Sequence, residues 1–272
     1  MLHKVEISTE QGLTLELPLE SLSGYVVKDI EGLDPVKATL VSSSFAMMDG
    51  EQYQSSRRES RNILLKLGLE SDYSTLTNRE LRLQLYKFLM PKSHVRLRFF
   101  IEDAPTVDIY GRVESFDSTS FTKEPEAVIS LVCHQPDFYS PTPVVIEGLT
   151  VSDSTELMVN YEGTVESGLI LTVRPDRDLS GFVMHHRPPD GKMRTLEFSE
   201  PLAAGDILKL STVTGGKFAR RTREAIEESV LYGVSPYSAW IQLFPGLNAL
   251  RMFSEGAPVP YTVEYTTKFG GI

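Results

Sequence analysis

Residues 76–102 read LTNRELRLQLYKFLMPKSHVRLRFFIE, and within them the hydrophobic period changes from that of a helix to that of a strand. Thr77 and Glu80 are spaced as a capping box, the Thr77 hydroxyl accepting from the Glu80 amide while the Glu80 carboxylate reaches back to the Thr77 amide. Leu76 and Leu81 flank the box at the spacing of a hydrophobic staple, and Leu81, Leu85, Phe88 and Leu89 then share one helical face. Met90-Pro91 stops the helix, because a residue before proline is pushed out of the α region. A helix over about 77–90 follows. Beyond it, Val95, Leu97, Phe99 and Ile101 alternate with Arg96, Arg98 and Glu102, the signature of a strand with one buried face. Phe100 falls on the polar side and predicts that this side is partly covered as well.

Working outward, strands dominate. Ile63, Leu65, Leu67 and Leu69 repeat the alternation, as do Ala127, Ile129, Leu131 and Cys133, with turn formers at Asp49-Gly50, Asp103-Ala104-Pro105 and Lys123-Glu124-Pro125 between the runs. Gln135 to Pro143 (QPDFYSPTP) holds three prolines in nine residues and reads as an extended connector. It divides the chain into expected domains 1–137 and 138–272. The second half continues with short strands around 169–173, 195–198, 206–210 and 261–265, a spacing that predicts a sandwich. Arg220–Ser229 (RRTREAIEES) is expected to form a helical turn or two, and Ala239–Leu243, which contains Trp240, a strand.

The chain has 272 residues, 41% of them apolar, enough for two ordinary domains. Its 27 basic and 37 acidic residues leave a net charge of −10, which argues against a general nucleic-acid or anionic-membrane binder. Cys133 is the single cysteine, so neither an intrachain disulfide nor a cysteine zinc cluster can form. The opening MLHKVEISTEQGLTLELPLE lacks the pattern of a secretory signal, and no run of about 18 apolar residues predicts a membrane span. The expectation is a protein made in a cytosol.

The residue types of several chemistries are present without their spacing. His185-His186 are neighbours on a strand and point to opposite faces, so with Asp190 they make no converging metal set. Cys133-His134 with Asp137 has the types of a nucleophilic site, but adjacent strand residues do not face one another and Cys133 completes an apolar face. Gly215-Gly216-Lys217 lacks the remaining features of a phosphate loop, and Phe218 follows it. Asp103 and Asp108 are carboxylates that would need one shared cleft for glycosidase work. No catalytic, metal or cofactor residue is expected. Two basic clusters, Arg57-Arg58-Glu59-Ser60-Arg61 and Arg220-Arg221-Thr222-Arg223, stand out in an acidic chain, where they fit either a solvated face or charge pairing between copies. Trp240, with Tyr232 and Tyr237 near it in sequence, is either packed in its strand or a sugar-stacking platform.

In order and spacing, the chain resembles the distal tail proteins of siphovirus-type bacteriophages. Four stretches carry the likeness: Gly32-Leu33-Asp34 followed by Asp49-Gly50 and RRESRNILLKLGL; the capped helix ending in FLMPKS; the junction VCHQPDFYSP; and SAWIQLFPGLNALRMFSEGAPVPYTVEYTTKF, where Pro245-Gly246-Leu247-Asn248 fits the family's Pro-Gly-x-Asn turn. Residues 145–235 match only in kind, and Tyr161 departs from an Asn-x-Gly turn common there. The resemblance implies a mainly β chain of two β-sandwich domains. The first would carry a flanking helix and the second would be like galectins or carbohydrate-binding modules.

It also implies six copies closing into a ring around the tail channel, with a hairpin arm of residues 38–69, its tip at Asp49–Ser56, reaching onto a neighbour. Implied partners are the chain itself, the tail tube protein, a tail-tip hub or tail-associated protein, the tape measure and fibre or receptor-binding proteins, in a virion assembled in host cytoplasm. Arg57, Arg58, Arg61, Asp49 and Glu51 would then lie between subunits. The alternative is a lectin-like module recognising a host cell-surface glycan through Trp240 and Tyr237. The family brings no catalytic residues, no cofactor, no nucleic-acid recognition and no membrane insertion.

Overall fold

The computed structural model describes residues 2–18, 24–47, 49–71, 76–102, 104–119, 122–151, 153 and 155–272. The chain divides into two compact units, Met1–Pro141 with Gly270–Ile272, and Thr142–Phe269. Among the described residues, no helix is long and apolar enough to cross a membrane.

The first unit contains β1 (Leu2–Thr9), β2 (Thr14–Pro18), β3 (Tyr25–Glu31), β4 (Ala38–Ser43), β5 (Gln52–Arg58), β6 (Arg61–Leu69), α1 (Asn78–Leu89), β7 (His94–Ile101), β8 (Val107–Ser118), β9 (Glu126–Cys133) and β10 (Phe138–Tyr139). Seven of these strands form one antiparallel path in the order β2-β1-β7-β8-β9-β6-β3. The alternation read in the sequence is its core side. Val95, Leu97 and Phe99 of β7, Ile63, Leu65 and Leu67 of β6, and Ala127, Ile129, Leu131 and Cys133 of β9 are all buried. The strands at the two ends of the path, β2 and β3, lie against each other, so the sheet rolls up around these side chains. Phe100 is half-covered on the outer side, with the Lys4 ammonium 4.2 Å from its ring centroid.

Helix α1 packs on β1 and β6. Thr77 is its N-cap, both halves of the capping box are formed, and Met90 is the C-cap in extended conformation. Leu81, Leu85 and Leu89 are buried, each contributing about 1.5–3 kcal/mol against the roughly 1 kcal/mol of the cap. Burial therefore docks the helix and the box fixes where it starts. Phe88 is only half-buried and Leu76 is exposed, so the expected staple adds little. Tyr25 ties the helix to β3, its hydroxyl 2.9 Å from the Leu81 carbonyl oxygen and 3.1 Å from Gln84 Oε1.

Strands β4 and β5 pair only with each other. They form the arm, which is shorter than the expected 38–69: it ends at Arg58, and β6 is a central strand of the main sheet. β4 ends at Ser43 and β5 begins at Gln52, so residues 52–56 of the expected tip belong to β5.

The second unit contains β11 (Val144–Leu149), β12 (Leu157–Tyr161), β13 (Ser167–Val173), β14 (Phe182–Arg187), β15 (Arg194–Phe198), β16 (Ile207–Ser211), β17 (Phe218–Arg223), β18 (Ile226–Ser229), β19 (Gln242–Leu243), β20 (Gly246–Phe253), β21 (Pro260–Tyr265) and β22 (Lys268–Phe269). One sheet has the order β11-β21-β13-β16-β17-β18, with β19 beside β13, and the other has β12-β20-β14-β15. Leu171, Leu208 and Val263 from the first sheet share one core with Val159, Met184, Leu196 and Leu250 from the second. That is a β-sandwich.

Two expectations fail in this unit. Arg220–Ser229 is a hairpin, not a helical turn: β17 and β18 pair through Arg220↔Ser229 and Arg223↔Ile226 around a turn at Glu224-Ala225. Arg220 pairs with Glu227 at 2.9 Å and Arg221 with Glu228 across the strands, so the charges that look helical act between strands. Trp240 precedes β19 instead of lying in a strand.

Candidate functional site

The arm joins the main sheet through two arginines. Arg61, the first residue of β6, is 2% exposed, and each of its three guanidinium nitrogens donates to backbone carbonyls. Its Nε donates to Pro136 O at 2.7 Å, its Nη1 to Asp34 O at 2.7 Å and to Gly32 O, and its Nη2 to Gly270 O at 2.6 Å. The guanidinium lies 4.4 Å from the centroid of the Phe138 ring. Burial draws the Arg61 pKa below its ordinary value, with Cys133 and Asp137 opposing that shift. Arginine stays charged regardless, and the carbonyl dipoles and the ring face supply what water no longer does.

Gly32 makes this cradle possible. Its φ is +88°, and a Cβ there would sit 2.0 Å from the Asn62 carbonyl oxygen. No side chain fits.

Arg58, the last residue of β5, forms a forked ion pair with Asp137, whose side chain is buried: Nη2 to Oδ2 is 3.1 Å, and Nη1 donates to Oδ1. The Glu59 amide donates to Lys37 O at 3.0 Å and closes the base of the hairpin. Three stretches far apart in sequence (Gly32 to Asp34, Arg58 to Arg61, and Pro136 to Phe138) thus meet at the arm's root. They fall within two of the four segments that carry the resemblance.

Above the root the arm is open to solvent. Arg57 is exposed opposite Thr39, and Asp49 and Glu51 are exposed at the tip, where Glu51 accepts from the Ser42 hydroxyl. Leu40, Phe45 and Tyr53 are each more than half exposed, and Met47 is fully exposed. Of the five residues expected between subunits, Arg57, Asp49 and Glu51 are on accessible surface. Arg61 is corrected: it is interior to its own unit, and Arg58 is committed to Asp137. Sequence reading missed Asp137, Gly32 and Gly270 as their partners. The signal for the first two was Gly-Leu-Asp-Pro and Gln-Pro-Asp-Phe, each a proline beside a carbonyl or carboxylate that an arginine uses.

The remaining candidates do not converge. Cys133 is buried and its thiol pKa is pushed up to about 11 by burial, while His134 is exposed. Asp108 forms a forked pair with Arg98 at 2.6 and 2.8 Å, and Asp103 lies outside the described residues. Gly215 and Gly216 form a tight turn, the Gly216 amide 2.9 Å from Val213 O. His186 is buried, its Nε2 2.9 Å from Asn248 Oδ1, whereas His185 faces Thr195. Asn248 also accepts from the Phe244 amide and donates to the Phe244 and Gly246 carbonyls, which explains an asparagine after Pro-Gly-x. Among the described residues, no group of three or more His, Cys, Asp or Glu is placed to hold a metal. Trp240 packs on the core of its unit with the Lys217 ammonium 5.1 Å from its ring, whereas Tyr237 is 98% exposed.

No protein-family model and no curated protein sequence matches the chain. Solved structures do. The Dit protein of phage SPP1, described as a paradigm of hub adsorption apparatus in phages infecting Gram-positive bacteria, matches with a TM-score of 0.69 at 16% identity. The match covers 97% of this chain and 99% of that one.

The chain has the Dit fold.

A chain of the phage P2 baseplate, in its activated conformation with Ca, matches over 100% of both lengths with a TM-score of 0.50 at 9% identity. These two neighbours are phage hub and baseplate proteins. The Dit fold takes in both units of this chain, since the matched length is nearly the whole of it.

Proposed function

We propose that the protein is a structural hub of a bacteriophage tail, a ring of six copies that joins the tail tube to the tail tip or baseplate and anchors fibre or receptor-binding components. The observation that carries this reading is the arm, on a chain whose full length follows the Dit fold. A two-stranded hairpin is marginal by itself in water, yet this one is built on a buried arginine cradle and displays Leu40, Phe45, Met47 and Tyr53. A surface that costs solubility and is anchored this firmly fits a contact with a second copy. A ring needs two different patches that meet head to tail, and an arm lying on a neighbour supplies them. Arg57, Asp49 and Glu51 set the polar rim of that contact, which fixes register more than strength.

The second sandwich, likened to galectins and carbohydrate-binding modules, is the unit that would carry other tail proteins. Glycan recognition is the alternative for it, supported by the exposure of Tyr237 and weakened by the packing of Trp240. Electron micrographs of the purified protein test the main reading. Six-fold rings with a central channel are expected, and monomers at every concentration would refute them.

A further inference from the structure

We infer that Gly270–Ile272 form a strap that holds the arm's root, so the arm's attachment depends on residues that follow the second unit in the chain. These three residues belong to the first unit although about 130 positions of the other unit precede them. Gly270 supplies one of the four carbonyls that hold Arg61, at 2.6 Å from Nη2. The Ile272 amide donates to Leu33 O at 3.1 Å, so the strap binds the same Gly32-Leu33-Asp34 turn that gives Arg61 two more acceptors. Gly271 lies flat on this turn: a Cβ there would come within 2.8 Å of Pro35 Cδ and 3.0 Å of Leu33 O.

Both arm strands reach the root here, β4 at its start and β5 at its end. Ala38 starts β4 three residues after Pro35, and Arg58 ends β5 three residues before Arg61. With the strap displaced, the Arg61 guanidinium loses one of the four carbonyls that hold it, which is costly for a charged donor buried in its own unit. The Gly32–Pro35 turn loses the cover that holds it against Arg61. The arm then keeps its two strands and loses its fixed direction. This holds whether or not the protein assembles into a ring, because every contact in the argument is within one copy.

The test is hydrogen exchange on Gly271→Val, followed by mass spectrometry of peptides covering 32–42 and 55–62. Exchange in these peptides is expected to rise about tenfold or more, as for a locally opened segment, while peptides from β7, β9 and β21 keep their wild-type protection. Faster proteolytic cleavage within 38–58 should accompany it. Unchanged exchange at the root would overturn the inference. So would an equal rise in every strand, since that is global destabilisation without a strap.

Discussion

Arg61 shows how a residue that reads as surface charge becomes the centre of a fold. Its four acceptors are carbonyls and its cover is an aromatic ring, so its removal strands acceptors instead of breaking an ion pair. Arg61→Met should destabilise the first unit by about 1–3 kcal/mol for each buried carbonyl it leaves unpaired, whereas exposed Arg57→Glu should stay within about 0.5 kcal/mol. Urea unfolding followed by far-UV circular dichroism separates them; fluorescence does not, because the single tryptophan, Trp240, lies in the second unit.

A second residue-scale prediction concerns pH. Burial holds the His186 pKa below its ordinary 6.5; the Asn248 bond raises it, nearby Arg194 lowers it and Asp190 raises it. His185 is lowered too, by burial and then by Arg251. The unfolded chain takes up protons near 6.5 that the folded unit resists, so stability is present in full above that pH and declines as pH falls below it. Thermal melts followed by Trp240 fluorescence should show the second unit's Tm dropping from pH 7 to pH 5. His186→Gln should flatten that drop, and an unchanged slope in the variant would remove His186 as its source.

At the scale of elements, legibility followed locality. The helix was readable because its cap, its buried face and its stop all lie within fifteen residues, and β6, β7 and β9 because alternation is a property of each strand alone. The β17–β18 hairpin was not, since RRTREAIEES has helix-favouring composition and its decisive contacts are cross-strand pairs. Its turn also hides its nature: Glu224 and Ala225 both have positive φ, 48° and 68°, where Asn-Gly would announce a primed turn. Replacing Glu224-Ala225 by Asn-Gly should relieve that conformation and stabilise the second unit by about 0.5–1 kcal/mol, seen as a rise in Tm. The arm's limits are hidden for a related reason. The run of apolar residues in β6 looks continuous with the hairpin, and only the two-residue break at Glu59-Ser60 separates an exposed strand from a buried one. The root was illegible as a site because Arg61 draws its acceptors from 27 to 209 positions away.

For the whole molecule, the claim is that a solvent-exposed arm on a Dit-fold chain exists to be covered by another copy. A specific interface needs roughly 800 Å² from each partner, and a hairpin of this length with five exposed apolar side chains, Leu40, Val41, Phe45, Met47 and Tyr53, supplies a core for it only when its root is rigid. The most direct measurement is the mass in solution of the full chain beside a variant in which residues 39–57 are replaced by a two-glycine turn. The full chain is expected to run at six times its 30.4 kDa monomer mass, and the armless variant to be a folded monomer. A full chain that stays monomeric at high concentration, or an armless variant that still forms the ring, would contradict it.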